Sequence, residues 1–102
     1  MINFFKKLFG SESVDYKNLV QNGAQIIDVR TAAEYKNKHL RNSKNIPLQN
    51  LRGSLKTLDK SKPVITVCAS GARSGSAKTI LQDAGFEAHN GGGWSNLEKK
   101  LQ

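Results

Sequence analysis

Residues 63–85 read P-V-I-T-V-C-A-S-G-A-R-S-G-S-A-K-T-I-L-Q-D-A-G, and this stretch decides the fold. The apolar run Val64-Ile65-Thr66-Val67 predicts a short buried strand. It ends on Cys68, the only cysteine of the chain. Cys68 to Arg73 then reads as a loop of small residues closed by an arginine. From Ser74 the pattern turns helical, with Ala77, Ile80, Leu81 and Ala84 at i, i+3, i+4 and i+7. Gly85 suits the left-handed position just past the helix end. The cysteine therefore stands where a strand hands over to a helix. Backbone N–H groups converge there and the helix dipole favours an anion. A thiol so placed, with Arg73 close by, is expected to ionise more readily than a free one. Ala69, Ser70, Gly71 and Ala72 are small enough to let their N–H groups curl into an anion-binding nest. Gly71 supplies the backbone freedom for that curl. The competing reading is a buried structural cysteine at a strand end; the small loop, the arginine and the helix start weigh against it.

Working outward, five more features accompany the loop. Ala24 to Val29 predicts a second strand, with Ile26, Ile27 and Val29 apolar. Asp28 and Arg30 flank Val29 and read first as a structural salt bridge or turn anchor supporting the site, and secondarily as direct participants in catalysis. Thr31-Ala32-Ala33-Glu34 is a capping box opening a short helix through Tyr35. Phe86 to His89 predicts the last strand, and Asn90-Gly91-Gly92-Gly93 a turn allowing close backbone approach.

The segment C-A-S-G-A-R-S at 68–74, with G-F at 85–86 and G-G-G-W at 91–94, resembles the rhodanese family. I-D-V-R-T-A-A-E-Y at 27–35 and N-I-P-L at 45–48 resemble that family's two upstream signatures, in the right order. The likeness runs from about Val14 to Leu101. It implies a sulfurtransferase fold in which Cys68 carries a persulfide, with D-V-R and the triple-glycine turn both beside the active loop. The chain departs from the family pattern at Lys38 and Asn42, where glycines are common, and at Ser43, where alanine is. Asn42 tolerates positive φ better than most residues. Lys38 puts the local turn geometry in question.

The alternation of strand and helix patterns independently predicts an α/β, three-layer sandwich. Its central sheet is mostly parallel, helices cover both faces, and Cys68 lies at the carboxyl edge of a central strand. The organisation expected is a segment 1–10 followed by a single domain over 11–102. The chain has 102 residues, 37% apolar and 24% charged, with a mean hydropathy of −0.51. No run reaches the length of a membrane span. One cysteine cannot form an internal disulfide, so the fold does not depend on an oxidising compartment, and the cytoplasm is the expected location. A single thiol also argues against a dithiol oxidoreductase. The net charge is +8 and the pI about 9.9. The lysines are dispersed, and no basic run carries interleaved aromatics, so attraction of small anions is a better use of this charge than nucleic-acid binding. The densest patch is Lys36, Lys38, His39, Arg41 and Lys44. His39 reads as a structural hydrogen-bonding residue, and cysteine–histidine metal spacing is absent.

Met1 to Gly10, M-I-N-F-F-K-K-L-F-G, lacks the apolar core that a secretory signal carries after its basic residues. Either Phe4, Phe5, Leu8 and Phe9 pack on the domain or a partner, or the segment touches a membrane surface. Ser13 is expected to cap a helix over Val14 to Gln21, with Asp15 in its first turn, and Asn22-Gly23 to stop it. Lys44 to Pro47 reads as a short strand entering a turn. Gln49 to Leu58 reads as an interrupted helix around Gly53, and Asp59 to Pro63 as a linker. Trp94, Leu97 and Leu101 share one face of a final helix.

The chemistry these residues suit is sulfur transfer without a cofactor. The Cys68 thiolate takes the sulfane sulfur of a donor such as thiosulfate and passes it to cyanide, a cellular thiol or a protein acceptor. Arg73 would shape the loop, while Ser70 and Ser74 offer hydroxyl hydrogen bonds. Two other classes compete. A phosphatase or arsenate reductase with a related loop has five residues between cysteine and arginine; here Ala69 to Ala72 gives four, a nest sized for sulfur rather than phosphate. A non-catalytic or sulfur-carrying partner-binding module is the other alternative, and its inert form would usually lack the cysteine.

Overall fold

In the computed structural model, residues 14–102 are described. The expectations for Met1 to Gly10, and for Ser13 as a cap, fall outside them. Four strands, β1 (Gln25–Asp28), β2 (Ser43–Asn45), β3 (Val64–Cys68) and β4 (Ala88–Gly93), form one sheet in the order β2-β1-β3-β4. All neighbours are parallel. The helices among the described residues are α1 (Tyr16–Gln21), α2 (Ala32–Asn37), α3 (Ala72–Asp83) and α4 (Trp94–Lys100), with two short 3-10 segments at Leu48–Asn50 and Arg52–Thr57. The expected three-layer α/β sandwich is thus present.

The alternation of β3 builds the two cores. A strand points successive side chains to opposite faces. Val64 and Cys68 face a cluster with Ile27, Val29, Leu51, Ala77, Leu81 and Phe86, under α3 and the 3-10 segments. Ile65 and Val67 face Ile26, Leu40 and Leu97, with Tyr16, Leu19, Val20, Trp94 and Leu101 against them from α1 and α4. Every residue of β3 is buried, which is why it reads as a near-continuous apolar run.

Several boundaries differ from the sequence reading. The first helix is capped by Asp15, whose side chain accepts from the Asn18 N–H, so Asp15 is the cap and not a first-turn residue. Thr31 and Glu34 form the expected capping box. Lys38 caps the end of α2 at φ −165° and ψ 141°, an extended conformation open to any residue, which removes the doubt about its lost glycine. Asn42 does take positive φ, 65°. The interrupted helix expected over 49–58 is two 3-10 segments, and the break falls at Leu51, with Gly53 inside the second segment. α3 begins at Ala72, two residues earlier than expected, because Gly71 at φ 110° acts as its N-terminal flank without a side-chain cap. Gly85, at φ 93°, ends it as expected: its N–H donates to Gln82 O and the Phe86 N–H to Leu81 O.

The largest difference is β4. The strand runs from Ala88 through Gly93, not over Phe86–His89, and the glycines belong to it. A Cβ on Gly91 would lie 2.8 Å from Ile65 Cγ2, and one on Gly93 2.8 Å from the Ala69 carbonyl oxygen. Glycine is needed here for close packing onto β3 and its loop. The β3–β4 register pairs Thr66 with Asn90 but Cys68 with Gly93, one extra residue on β4. One extra residue on one strand is the signature of a β-bulge, which leaves that residue unpaired.

Candidate active site

Cys68 is the last residue of an inner strand, and the turn after it folds back over its sulfur. The Gly71 N–H donates to Cys68 Sγ at 3.0 Å and the Ser74 N–H at 3.3 Å. Ser74 Oγ lies 3.3 Å from the same sulfur. Gly71 reaches this position through its positive φ, and Ser74 through the first turn of α3. Thr66, two residues before Cys68 on the same face, fixes that turn by donating its hydroxyl to the Ser74 carbonyl at 2.8 Å. Cys68 is 1% exposed. Burial alone pushes its thiol up; the hydrogen bonds of the Ser74 hydroxyl and of the Ser74, Gly71 and Ser70 N–H groups outweigh it, so the net shift is downward.

The expected loop residues divide into distinct places. Gly71 and Ser74 bond the sulfur directly. Ala69 turns its carbonyl toward Gly93, and Ala72 opens the helix. Arg73 lies in the first turn of α3, and its guanidinium is held by Glu34 of α2, NH1 to Oε1 at 2.8 Å and NH2 to Oε2 at 3.1 Å. The carboxylate beside it raises the Arg73 pKa, with Cys68 only a later contributor. The downward shift of the thiol comes from the Ser74 hydroxyl and from backbone N–H groups of the loop. Arg73, with the Thr31 N–H, holds the Glu34 carboxyl down at about 2.

Asp28 and Arg30 form a bidentate pair, Arg30 Nε to Asp28 Oδ1 at 3.0 Å and NH2 to Oδ2 at 2.8 Å. Arg30 also donates to the Lys38 carbonyl at 2.8 Å and lies over the Trp94 ring. Asn45 adds bonds to the Asp28 and Arg30 carbonyls. None of these hydrogen bonds reaches Cys68, so the anchor reading of this pair fits its geometry. His39 stacks on Tyr35 and donates Nδ1–H to the Tyr35 carbonyl. Among the described residues no group of three or more histidine, cysteine or acidic side chains has metal-binding geometry. A cleft of about 440 Å³ opens beside the loop, with Thr31, Pro47, Leu48, Gln49 and Arg73 in its wall.

Two site residues escaped the sequence reading. Glu34 was legible as a cap but not as the partner of Arg73, which is 39 positions away. Asn90 was read as part of a turn, yet its side chain bonds Ser74, Gly71 and Gly92.

This arrangement agrees with what the chain resembles among known proteins. The model of the rhodanese-like domain matches residues 13–100. The thiosulfate sulfurtransferase PspE of Escherichia coli is 35% identical over 74 residues, 70% of this chain and 71% of that one. The chain belongs to the rhodanese-like family. Among solved structures, a rhodanese with anions from E. coli is 34% identical at a TM-score of 0.65, over 72% of this chain and 91% of that one. The Bacillus anthracis CoADR-RHD is 32% identical at a TM-score of 0.71 over 82% of this chain. The rhodanese-like chain spans only 15% of that protein. No helix among the described residues is long and apolar enough to cross a membrane.

Proposed function

We propose that this protein is a sulfurtransferase in which Cys68 accepts a sulfane sulfur and hands it on. The observation that carries this reading is the pair of N–H groups, Gly71 and Ser74, aimed at a thiol whose ionisation they favour. The Cys68 thiolate attacks the outer sulfur of thiosulfate, a new S–S bond forms, the old one breaks, and sulfite leaves with its electron pair. The resulting persulfide anion is stabilised by the same donors, at about 1.5–3 kcal/mol for each hydrogen bond to a charge. The carbon of cyanide, or the sulfur of a thiol, then attacks the outer sulfur and Cys68 leaves as thiolate. With cyanide the product is thiocyanate. No cofactor enters either step. The basic net charge favours small anionic donors, and the cleft beside Arg73 is the approach for an acceptor, a protein thiol among them. No nucleic acid is called for. A single unpaired thiol suits a reducing compartment such as the cytoplasm. Family membership and the kinship to a thiosulfate sulfurtransferase support the reading.

Incubation with thiosulfate should add the mass of one sulfur atom at Cys68, and cyanide should remove it as thiocyanate. Cys68→Ser should lose both while keeping its melting temperature. Hydrolysis of p-nitrophenyl phosphate without sulfur loading would overturn the assignment in favour of the phosphatase. Neither activity across several donors would leave a partner-binding module.

A further inference from the structure

The Ser74 hydroxyl has one hydrogen and two claimants. Its oxygen is 3.3 Å from Cys68 Sγ and 2.6 Å from Asn90 Oδ1. The Asn90 amide cannot be turned over: Oδ1 also accepts the Gly92 N–H at 2.9 Å, and Nδ2 donates to the Gly71 carbonyl at 3.1 Å. One neighbour is donor-only and the other acceptor-only. With the thiol neutral, Cys68 S–H donates to Ser74 Oγ and the hydroxyl donates onward to Asn90. With the thiol ionised, Sγ has no proton to give and calls for the hydroxyl hydrogen itself. Ser74 must then release Asn90, which keeps the Gly92 N–H.

We infer that Asn90 is a positioning residue for the proposed sulfur-transfer nucleophile, setting how readily Cys68 ionises by competing for the single hydrogen of Ser74. This rests on the reading of Cys68 as that nucleophile. The other charged and titratable groups around the loop are already engaged. Arg73 of α3 holds Glu34 of α2, Arg30 holds Asp28 beside β1, and Glu87 pairs with His89 on β4. Tyr16 of α1 donates its hydroxyl to the Asn90 carbonyl, not to the amide. Among the described residues none of these side chains hydrogen-bonds Cys68 Sγ, Ser74 Oγ or the Asn90 side-chain amide. The Asn90 tether on Gly71 is redundant, because the Gly71 carbonyl also accepts the Gly75 N–H at 3.0 Å as the helix opens. Removing the amide therefore frees the hydroxyl without releasing the loop.

The test is a double-mutant cycle read by the pH dependence of iodoacetamide alkylation. Asn90→Ala should lower the alkylation midpoint by about 0.5–1 pH unit, because a hydrogen bond to a charged group is worth more than one to a neutral group. Ser74→Ala should raise the midpoint. Asn90→Ala added to Ser74→Ala should leave it where Ser74→Ala alone put it. A rise with Asn90→Ala, an equal shift in both backgrounds, or no shift at all would reduce Asn90 to a structural tether and overturn the inference. If Asn90→Ala does not fold, Asn90→Leu keeps the branched side-chain shape, removes the competition and carries the same expectations. Alkylation reads the thiol alone. A protein that never loads sulfur yet obeys the cycle refutes the transfer reading and leaves the hydrogen competition standing; the converse outcome refutes only the role of Asn90.

Discussion

Arg30 and Arg73 each hold a carboxylate with two guanidinium nitrogens, but the side chains of the first pair are 6% and 0% exposed and those of the second 37% each. The Asp28–Arg30 pair joins the end of β1 to the end of α2 and closes under Trp94. Its charges have no water to fall back on. The Glu34–Arg73 pair spans α2 and α3 at the rim of the cleft, within reach of solvent and of whatever enters. The same chemistry thus does two jobs, decided by burial. A buried pair whose partner is removed leaves an uncompensated charge, whereas an exposed pair is screened and contributes little to stability.

The largest effect should come from breaking the buried pair. Asp28→Ala is expected to destabilise the domain by about 3–5 kcal/mol, read from the urea midpoint. That is a large share of the total stability of a small domain. A loss comparable to that of an exposed pair would mean that Arg30 finds water, and the contrast between the two pairs would collapse.

A lesion of packing alone gives the comparison its scale. Gly91→Ala places a methyl against Ile65 Cγ2, the Thr66 carbonyl and Val67 Cγ1. Overpacking of this kind costs roughly 1–3 kcal/mol. Its alkylation midpoint should match the wild type, since the atoms nearest the new methyl belong to Ile65, Thr66 and Val67. A shifted midpoint would mean that strain in β4 reaches the thiol without any change of charge.

How much of this was written in the sequence differs between the same regions. Strand β3, Cys68 and the apolar face of α3 were legible because burial imposes a local pattern on neighbouring residues. The capping box at Thr31–Glu34 was legible because its partners are three residues apart. β4 was misread because glycines carry no side-chain alternation, so a strand made of Ala-His-Asn-Gly-Gly-Gly has no period to detect. The start of α3 was placed two residues late because Gly71 caps through its φ and not through a side chain. The partners of Arg73 and Asn90 are set by long-range contacts, Glu34 39 residues away and Ser74 16. No local spacing encodes them.

Acid sharpens the contrast from the exposed side. The Glu34 carboxyl is held at about 2 against an ordinary 4.5. Its contribution is complete above the ordinary value and is lost as pH falls from there through about 2. NMR titration of the Glu34 carboxyl should show a midpoint near 2. Glu34→Gln should remove only a shallow part of the acid-induced loss of stability, because water screens the pair. A midpoint near 4.5 would mean that Arg73 swings free in solution.

The smallest effect is the one that bears on function. If the exposed pair acts on the loop through charge, its two halves must push the thiol in opposite directions. Arg73 sits one residue before Ser74, and its positive field favours the thiolate. Glu34 cancels part of that field through two hydrogen bonds. Arg73→Ala should therefore raise the Cys68 alkylation midpoint, and Glu34→Gln should lower it. Both shifts should be smaller than that of Ser74→Ala, whose hydroxyl and N–H groups contact the sulfur directly and whose hydroxyl the substitution removes. Both should shrink as ionic strength rises, since exposed charges are screened over about 10 Å at 0.1 M salt. The wild-type midpoint itself should lie below the ordinary thiol value of 9.0. If Arg73→Ala and Glu34→Gln move the midpoint in the same direction, the pair works as a clamp that holds α2 against α3, and its charges are incidental to the thiol.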